Sequence, residues 1–337
     1  MLIRGLAILA LVAALAAAWL VWEVRSFAVT PLTVPSEGLA YTVDPGTPLR
    51  RVAEDLAAQG AVKRAPYLRL LARWREQAQS IKAGEYLIAP GTTPEGLLDQ
   101  LVAGRVVQHA LTVVEGWTFR DLLVAVAAHQ ALDHTLDGLS DEAIMQRLGY
   151  PGEHPEGRFF PETYHFPRGT TDLDFLRRAY ETMDRLLASA WTDRSVEAVV
   201  QTPREALILA SIVERETGLG AERAEIAGVF SRRLRKGMLL QTDPTVIYGM
   251  GEGFDGNLHK RDLERDTPYN TYTRAGLPPT PICLPGADAI HAALHPASGN
   301  SLYFVARGDG SHAFSATLAE HNDAVAKYQL RRKASRK

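Results

Sequence analysis

The sequence predicts an α+β protein in three parts: an apolar N-terminal helix, a small α+β module and a larger α+β domain. Three observations carry this reading. Residues 5–22 form an uncharged apolar run. From residue 39 onward, short strand patterns, Gly or Pro turns and amphipathic helix patterns follow one another. A strand–turn–helix motif also occurs twice. LTVVEGWTFRDLLVA at 111–125 echoes YTVDPGTPLRRVAED at 41–55, aligning Thr42 with Thr112, Val43 with Val113, Gly46 with Gly116 and Arg50 with Arg120. Two copies are too few for a solenoid. They suggest two related α+β units with a boundary near 105–111. The expected divisions are an anchor at 1–24, a linker at 25–38, a module at 39–105, the larger domain at 106–330 and a basic tail at 331–337.

The 337 residues are enough for a sizeable core, and the apolar and charged fractions are those of a folded protein. A net charge of −2 leaves no basic footprint for nucleic acid. Cys283 is the sole cysteine, which excludes an intrachain disulfide and a cysteine-based metal site. A chain without disulfides lives in either redox compartment.

The run at 5–22 is just long enough to span a bilayer as a helix. Arg4 and the α-amine precede it, so its N-terminus belongs on the cytoplasmic side. Trp19 and Trp22 sit at its outer end, where interfacial aromatics are expected. Small residues at 14–18 suit a signal cleavage site. The apolar run continues past them through Trp22, which favours an uncleaved anchor. Either way, the chain beyond Glu23 is exported.

The module at 39–105 reads strand, helix, helix, strand, helix. A strand at 39–43 leads into a Pro45–Gly46 turn. Thr47 is the expected cap of a helix reaching residue 59. A second amphipathic helix covers 66–79, a strand 84–88 and a helix 94–103, with Gly104 as its stop. The tract YTVDPGTPLRRVAEDLA resembles the start of a LysM-type glycan-binding module. The alternative is a packing module that spaces the larger domain from the membrane.

In the larger domain, 137–148 reads as a short helix and 172–190 as a long one. Between them lies EGRFFPETYHFPRGTT, where prolines preclude a long regular element. Phe159, Phe160, Tyr164 and Phe166 either pave a sugar-binding surface or plug a loop into the core. Glu162 is ambiguous for the same reason. The most informative stretch is TPREALILASIVERETG, from Thr202 to Gly218. Thr202 is a good N-cap, Pro203 suits the first helical position, Glu205 completes a capping box, and Gly218 is the expected stop. At about 100° per residue, Glu216 falls among Leu209, Ile212 and Val213. Glu214 falls beside Leu207, Ala210 and Ser211, a smaller and more mixed face. A carboxylic acid on an apolar stripe is costly to ionise, so the pKa of Glu216 is expected to rise, as a general acid near neutral pH requires. The alternative is that Glu216 reaches solvent at the helix end.

A helix at 221–236 with Gly237 as its stop comes next. A polar and aromatic tract follows, LLQTDPTVIYG and then DTPYNTYTRAGLPPTPICLPG. Gln241, Thr242, Asp243, Tyr248, Tyr269, Asn270 and Tyr272 offer hydroxyl and amide groups beside aromatic faces, which suits an extended polar substrate such as a glycan. We expect Gln241, Thr242, Asp243, Tyr269 and Asn270 to line the cleft holding Glu216. A helix at 287–294, a strand at 301–306 and a helix at 315–330 complete the domain. His312 falls in a turn beside Gly308–Gly310 and is weak evidence for a site. The basic tail is expected to be disordered. There is no HExxH, Walker loop, GxGxxG or GxSxG pattern, so neither a metal nor a cofactor is expected.

Taken together, EGRFFPETYHF, ILASIVERETG, GMLLQTDPTVIYGMGEGFDG, YNTYTRAGLPPTPICLPGADAI and YFVARGDGSHAFSATLAEHN resemble the endolytic murein transglycosylase family (MltG/YceG-like). The likeness covers nearly the whole chain. It implies a lytic transglycosylase that cuts glycan strands of peptidoglycan internally from the outer face of the inner membrane. It also implies a MurNAc–GlcNAc bond as the target, a 1,6-anhydro-MurNAc product end, and penicillin-binding glycan synthases as partners. The catalytic residue it implies is the second Glu of Glu-x-Glu, here Glu216. The stretch LPPTPICLPG departs from the family, which more usually has Gly at Thr280. Such chemistry needs one carboxyl: the C6 hydroxyl of the same sugar is the nucleophile, and one Glu donates a proton and then accepts one. Two other classes fit less well: a hydrolysing glycosidase with Asp243 or Glu162 as second carboxylate, and a non-enzymatic glycan-binding scaffold.

Overall fold

The computed structural model describes residues 2–330. The basic tail therefore lies outside the described residues. The chain is mixed α and β and divides into two compact units. One ends at His109 and takes in His165–Thr170; the other comprises Ala110–Tyr164 and continues from Thr171. The return of 165–170 to the first unit has no signal in the sequence.

The first unit opens with α1 (Leu2–Val29), followed by β1 (Leu39–Val43), α2 (Leu49–Ala58), α3 (Ala65–Trp74), β2 (Gly84–Ile88) and α4 (Pro94–Ala103). β1 and β2 pair antiparallel with Tyr41 opposite Tyr86. Both strands alternate, so Tyr41, Val43, Tyr86 and Ile88 point into the core. The apolar stripes of the helices cover them, with Val52 and Leu56 from α2, Leu68 from α3 and Leu97 and Leu101 from α4. The expected linker begins as helix instead. α1 runs to Val29, and Val24 and Ala28, one turn apart, are buried in this core. Phe27 stacks edge-on against Tyr67, and Arg64 pairs with Glu23. Residues 5–22 of α1 are exposed and apolar, and the helix has the length and composition to cross a membrane. Thr47 does not cap α2: Pro48 occupies the cap position and has no side-chain bond to offer.

β3 (Gln108–Thr112) and α5 (Phe119–Ala127) are the second copy of the repeated motif. Gly46 and Gly116 share a left-handed backbone, φ +80° and +81°, where any other residue is strained. In this copy the cap is real: Thr118 accepts from the Asp121 N–H, and the Asp121 carboxylate accepts from the Thr118 N–H. Next are β4 (Leu132–Asp133), α6 (Asp141–Leu148), β5 (Thr163–Pro167), β6 (Thr170–Thr171) and α7 (Asp172–Thr192). Phe159, Tyr164 and Phe166 are buried, so the aromatic tract serves the interior rather than a sugar-binding surface.

The second unit is built around α8 (Pro203–Glu216). Every residue from Ala206 to Val213 is buried, so this helix is enclosed rather than amphipathic. α9 (Gly220–Arg235), α10 (Asp243–Met250), α11 (Lys260–Glu264), α12 (Ala287–Leu294), the antiparallel hairpin β7 (Tyr303–Ala306) and β8 (His312–Ser315), and α13 (Leu318–Val325) complete it. α12 packs closely on α8 because Ala289, Ala292 and Ala293 are small. The expected C-terminal helix at 315–330 starts three residues later, and Ala326–Leu330 continues it as a π turn.

Candidate active site

α8 begins as its sequence requires. Thr202 caps it by accepting from the Glu205 N–H at 3.2 Å, with Pro203 in the first turn. The return bond of the capping box is displaced by one residue, since Glu205 accepts from the Gln201 N–H at 2.6 Å. The helix ends earlier than its glycine suggests. Thr217 is already extended at φ −144° and ψ 135°, so Glu216 is the last helical residue. The buried helix thus delivers a carboxyl group at its tip.

Glu216 accepts a hydrogen bond from the Thr242 hydroxyl. Thr242 is itself fixed. Its N–H donates to Thr271 Oγ1 at 3.1 Å, its carbonyl accepts from the Thr245 hydroxyl at 2.8 Å, and the Thr245 and Thr271 hydroxyls lie 2.9 Å apart. Gln241 N–H donates to the Thr271 carbonyl at 3.0 Å, with Gln241 in a left-handed conformation at φ +50°. Burial pushes the Glu216 carboxyl up to about 6. The Thr242 bond pulls it back, Asp243 pushes it further up, and His312 and the Arg233 guanidinium nearby oppose that. The carbonyl end of α8 also disfavours a carboxylate there.

Glu216 opens into a cavity of about 430 Å³ shared with Arg233, Gln241, Asp243, Tyr272, Tyr303 and His312. The Tyr272 hydroxyl donates to Asp243 at 2.5 Å. Arg233 stacks over Tyr303 and donates to the carbonyls of Leu302, Leu239 and Leu240, which ties α9 to β7 and to the strand of chain entering Gln241. His312 opens β8 rather than sitting in a turn. Its ring Nδ1 lies 2.7 Å from Glu222 Oε2, and its N–H donates to Glu222 Oε1 at 2.9 Å. His321, stacked on Tyr303, and Leu318 of α13 line the far wall. Arg233 and Tyr303, which the sequence reading does not name, line this cavity together with His312. The one local signal was the stretch GDGSHAFSATLAEHN, which carries both histidines.

The other expected site residues go elsewhere. Glu214 is almost fully buried; it pairs with Arg223 at 3.3 Å and accepts from the Gly286 N–H at 2.9 Å, clamping α8 to α9 and α12. Tyr248 and Tyr269 stack edge-on in a second cavity of about 890 Å³, not in that of Glu216. There Tyr248 donates to Glu156, which also accepts from the Phe119 N–H. Burial pushes Glu156 up to about 7 against both bonds. Asn270 is fully buried away from the cleft expected for it. Its amide donates to the carbonyls of Asp262, Leu263 and Arg265, and its oxygen accepts from the Tyr272 N–H. Glu162 is exposed and lines neither cavity. Thr280, the family departure, bonds the Tyr269 hydroxyl at 2.8 Å. Among the described residues, no group of three or more His, Cys, Asp or Glu is arranged to hold a metal ion.

The model of the YceG-like family matches residues 41–327. An endolytic murein transglycosylase of Bacillus subtilis is 34% identical over 268 residues, 74% of this chain and 74% of that protein. One from Streptococcus pneumoniae is 27% identical over 310 residues, 82% of this chain and 56% of that longer protein. The crystal structure of a yceG-like protein from Listeria monocytogenes aligns with a TM-score of 0.54 at 27% identity, covering 86% of this chain and 99% of that one. The likeness runs from the first strand into the C-terminal helix and takes in the Glu216 helix, the threonine-rich support and the β7–β8 hairpin: the chain belongs to the YceG-like family.

Proposed function

We propose that this protein is an endolytic peptidoglycan lytic transglycosylase with Glu216 as its proton donor. The observation that carries the mechanism is the Glu216 carboxyl at the tip of a buried helix, raised to about 6 and facing an open polar and aromatic cavity. A carboxyl so tuned is partly protonated near neutral pH and can give its proton to a glycosidic oxygen. The sugar's own C6 hydroxyl then attacks C1 and closes a 1,6-anhydro ring. That attack is intramolecular and gains a large effective molarity. Asp243 and the Tyr272 hydroxyl, in the same cavity, supply fixed dipoles and negative charge near the developing oxocarbenium ion.

Three finer points belong to the same reading. α1 is an uncleaved anchor that places both units outside the cytoplasmic membrane. The first unit contacts glycan, on the LysM-like tract at 41–57. The glycan synthases that extend nascent strands are the natural partners, since an internal cut ends elongation. Because Asp243 shares the cavity with Glu216, a hydrolysing two-carboxylate mechanism is the second reading. Mass spectrometry of products from purified glycan strands separates the two. Anhydro ends support the lyase and reducing ends the hydrolase. Glu216→Gln is expected to lower the rate by about 10²–10⁴ without changing the melting temperature. A variant that cuts at the wild-type rate would remove Glu216 from the mechanism.

A further inference from the structure

One feature of the cavity is not needed by a one-carboxyl mechanism. Glu222, in the first turn of α9, holds His312 at two points, the backbone N–H and ring Nδ1. This fixes the ring's orientation and tautomer: a carboxylate at 2.7 Å keeps the proton on Nδ1. Nε2 is left as a lone pair, and it has no hydrogen-bond partner among the described residues. His312 lines the cavity that holds Glu216. The carboxyl of Glu216, by contrast, is pinned. One oxygen is engaged by Thr242, whose backbone and carbonyl are themselves held by Thr271 and Thr245. A carboxyl held in this way is well placed to give one proton at one position. The Thr242 bond leaves the other carboxyl oxygen of Glu216 to carry and give that proton.

We propose that His312 is a second catalytic residue, with Glu222 as its positioning residue. Nε2 takes the proton of the C6 hydroxyl as that oxygen closes on C1, and Glu216 serves as the acid alone. This rests on the lyase reading above and divides its two proton transfers. The C1–O4 bond breaks as the Glu216 proton moves to O4. The C1–O6 bond forms as the O6 proton moves to Nε2. The resulting imidazolium faces the Glu222 carboxylate, which stabilises it as a buried carboxylate does in a catalytic triad. The proton then returns from His312 to Glu216 through solvent, and the site is reset with no further reactant.

The test uses the full-length protein in detergent micelles and uncrosslinked glycan strands, and reads rate, end chemistry and melting temperature. His312→Ala is expected to lose about 10²–10⁴ in rate. Its residual products should shift from anhydro toward reducing ends, because water replaces a C6 hydroxyl that is no longer activated. Added imidazole should restore part of the rate. Glu222→Gln is the second variant. Its amide NH₂ must donate to Nδ1, which moves the ring proton to Nε2 and turns the base into a donor. It should match His312→Ala in rate while melting like the wild type. Anhydro ends at the wild-type rate from both variants would overturn the role of His312 and leave the lyase reading intact. So would a loss that accompanies early melting in both and is not relieved by imidazole. Reducing ends alone from the wild-type protein would overturn the lyase reading, and this inference with it.

Discussion

At the scale of single residues, two carboxyls are tuned by opposing forces, and each makes a pH prediction. Burial raises Glu216, while the Thr242 hydroxyl, by donating to the charged form, lowers it. Thr242→Val keeps the shape and removes the donor. The Glu216 pKa should rise above about 6, so the alkaline limb of the rate profile, where the acid form is lost, should move to higher pH. An unmoved limb would mean that Glu216 is not the titrating acid. Glu156 bears on stability instead. Its carboxyl is pushed from 4.5 to about 7 in the folded protein, so the folded state holds this proton more tightly than the unfolded chain. That contribution is full below about 4.5 and is lost as pH rises through about 7. Glu156→Gln can still accept from the Phe119 N–H and can donate to Tyr248. It should flatten the fall of melting temperature across that window, which thermal melts at stepped pH will read.

At the scale of elements, the loop between α11 and α12 is held by Asn270. Asn270→Ala strands the carbonyls of Asp262, Leu263 and Arg265 and the Tyr272 N–H, at about 1–3 kcal/mol for each group left unpaired in the interior. We expect lower melting together with lower activity, since Thr271 and Tyr272 support Thr242 and Asp243. A variant that melted normally and was slow only in cutting would restore Asn270 to the cleft. Legibility at this scale followed length and local chemistry. α8 was readable because Thr202, Pro203 and Glu205 mark its start and eight apolar or small residues in succession fill its middle. α10 is not legible as a helix within the polar and aromatic tract because it has eight residues, no apolar period, and a Pro that suits only its first turn. The strand expected at 301–306 covers β7, but β8 has four residues, too few for a convincing alternation, so the hairpin itself is not legible. Its consequence, His312 meeting Glu222 across 90 positions of sequence, leaves no local trace. The raised pKa of Glu216 is legible in the sequence because its cause, a carboxyl on an apolar stripe, lies within one helix. Tyr248 and Tyr272 were grouped because they share a tract, and α10 and the loops around it assign them to different cavities.

At the scale of the molecule, the extension of α1 into the first unit is not legible in the sequence, because the apolar run that marks the helix stops at Trp22. Val24 and Ala28 are core residues of that unit, and fully burying one Val side chain contributes about 1.5–3 kcal/mol. A chain starting at Glu23 should therefore melt like the full-length protein, and one starting at Thr30 should lose the first unit at a lower temperature. Calorimetry of the two truncations decides this, and equal melting would make the lower turns of α1 incidental. A 28-residue helix is about 42 Å long, and a bilayer core takes about 30 Å. With α1 in a bilayer, the two or so turns left over are the ones already embedded in the first unit. No slack remains for a leash. On the anchoring proposed above, that unit would ride directly on the lipid headgroups and search in two dimensions at a fixed working height, meeting strands as they leave the membrane surface while older layers of wall stay beyond its reach.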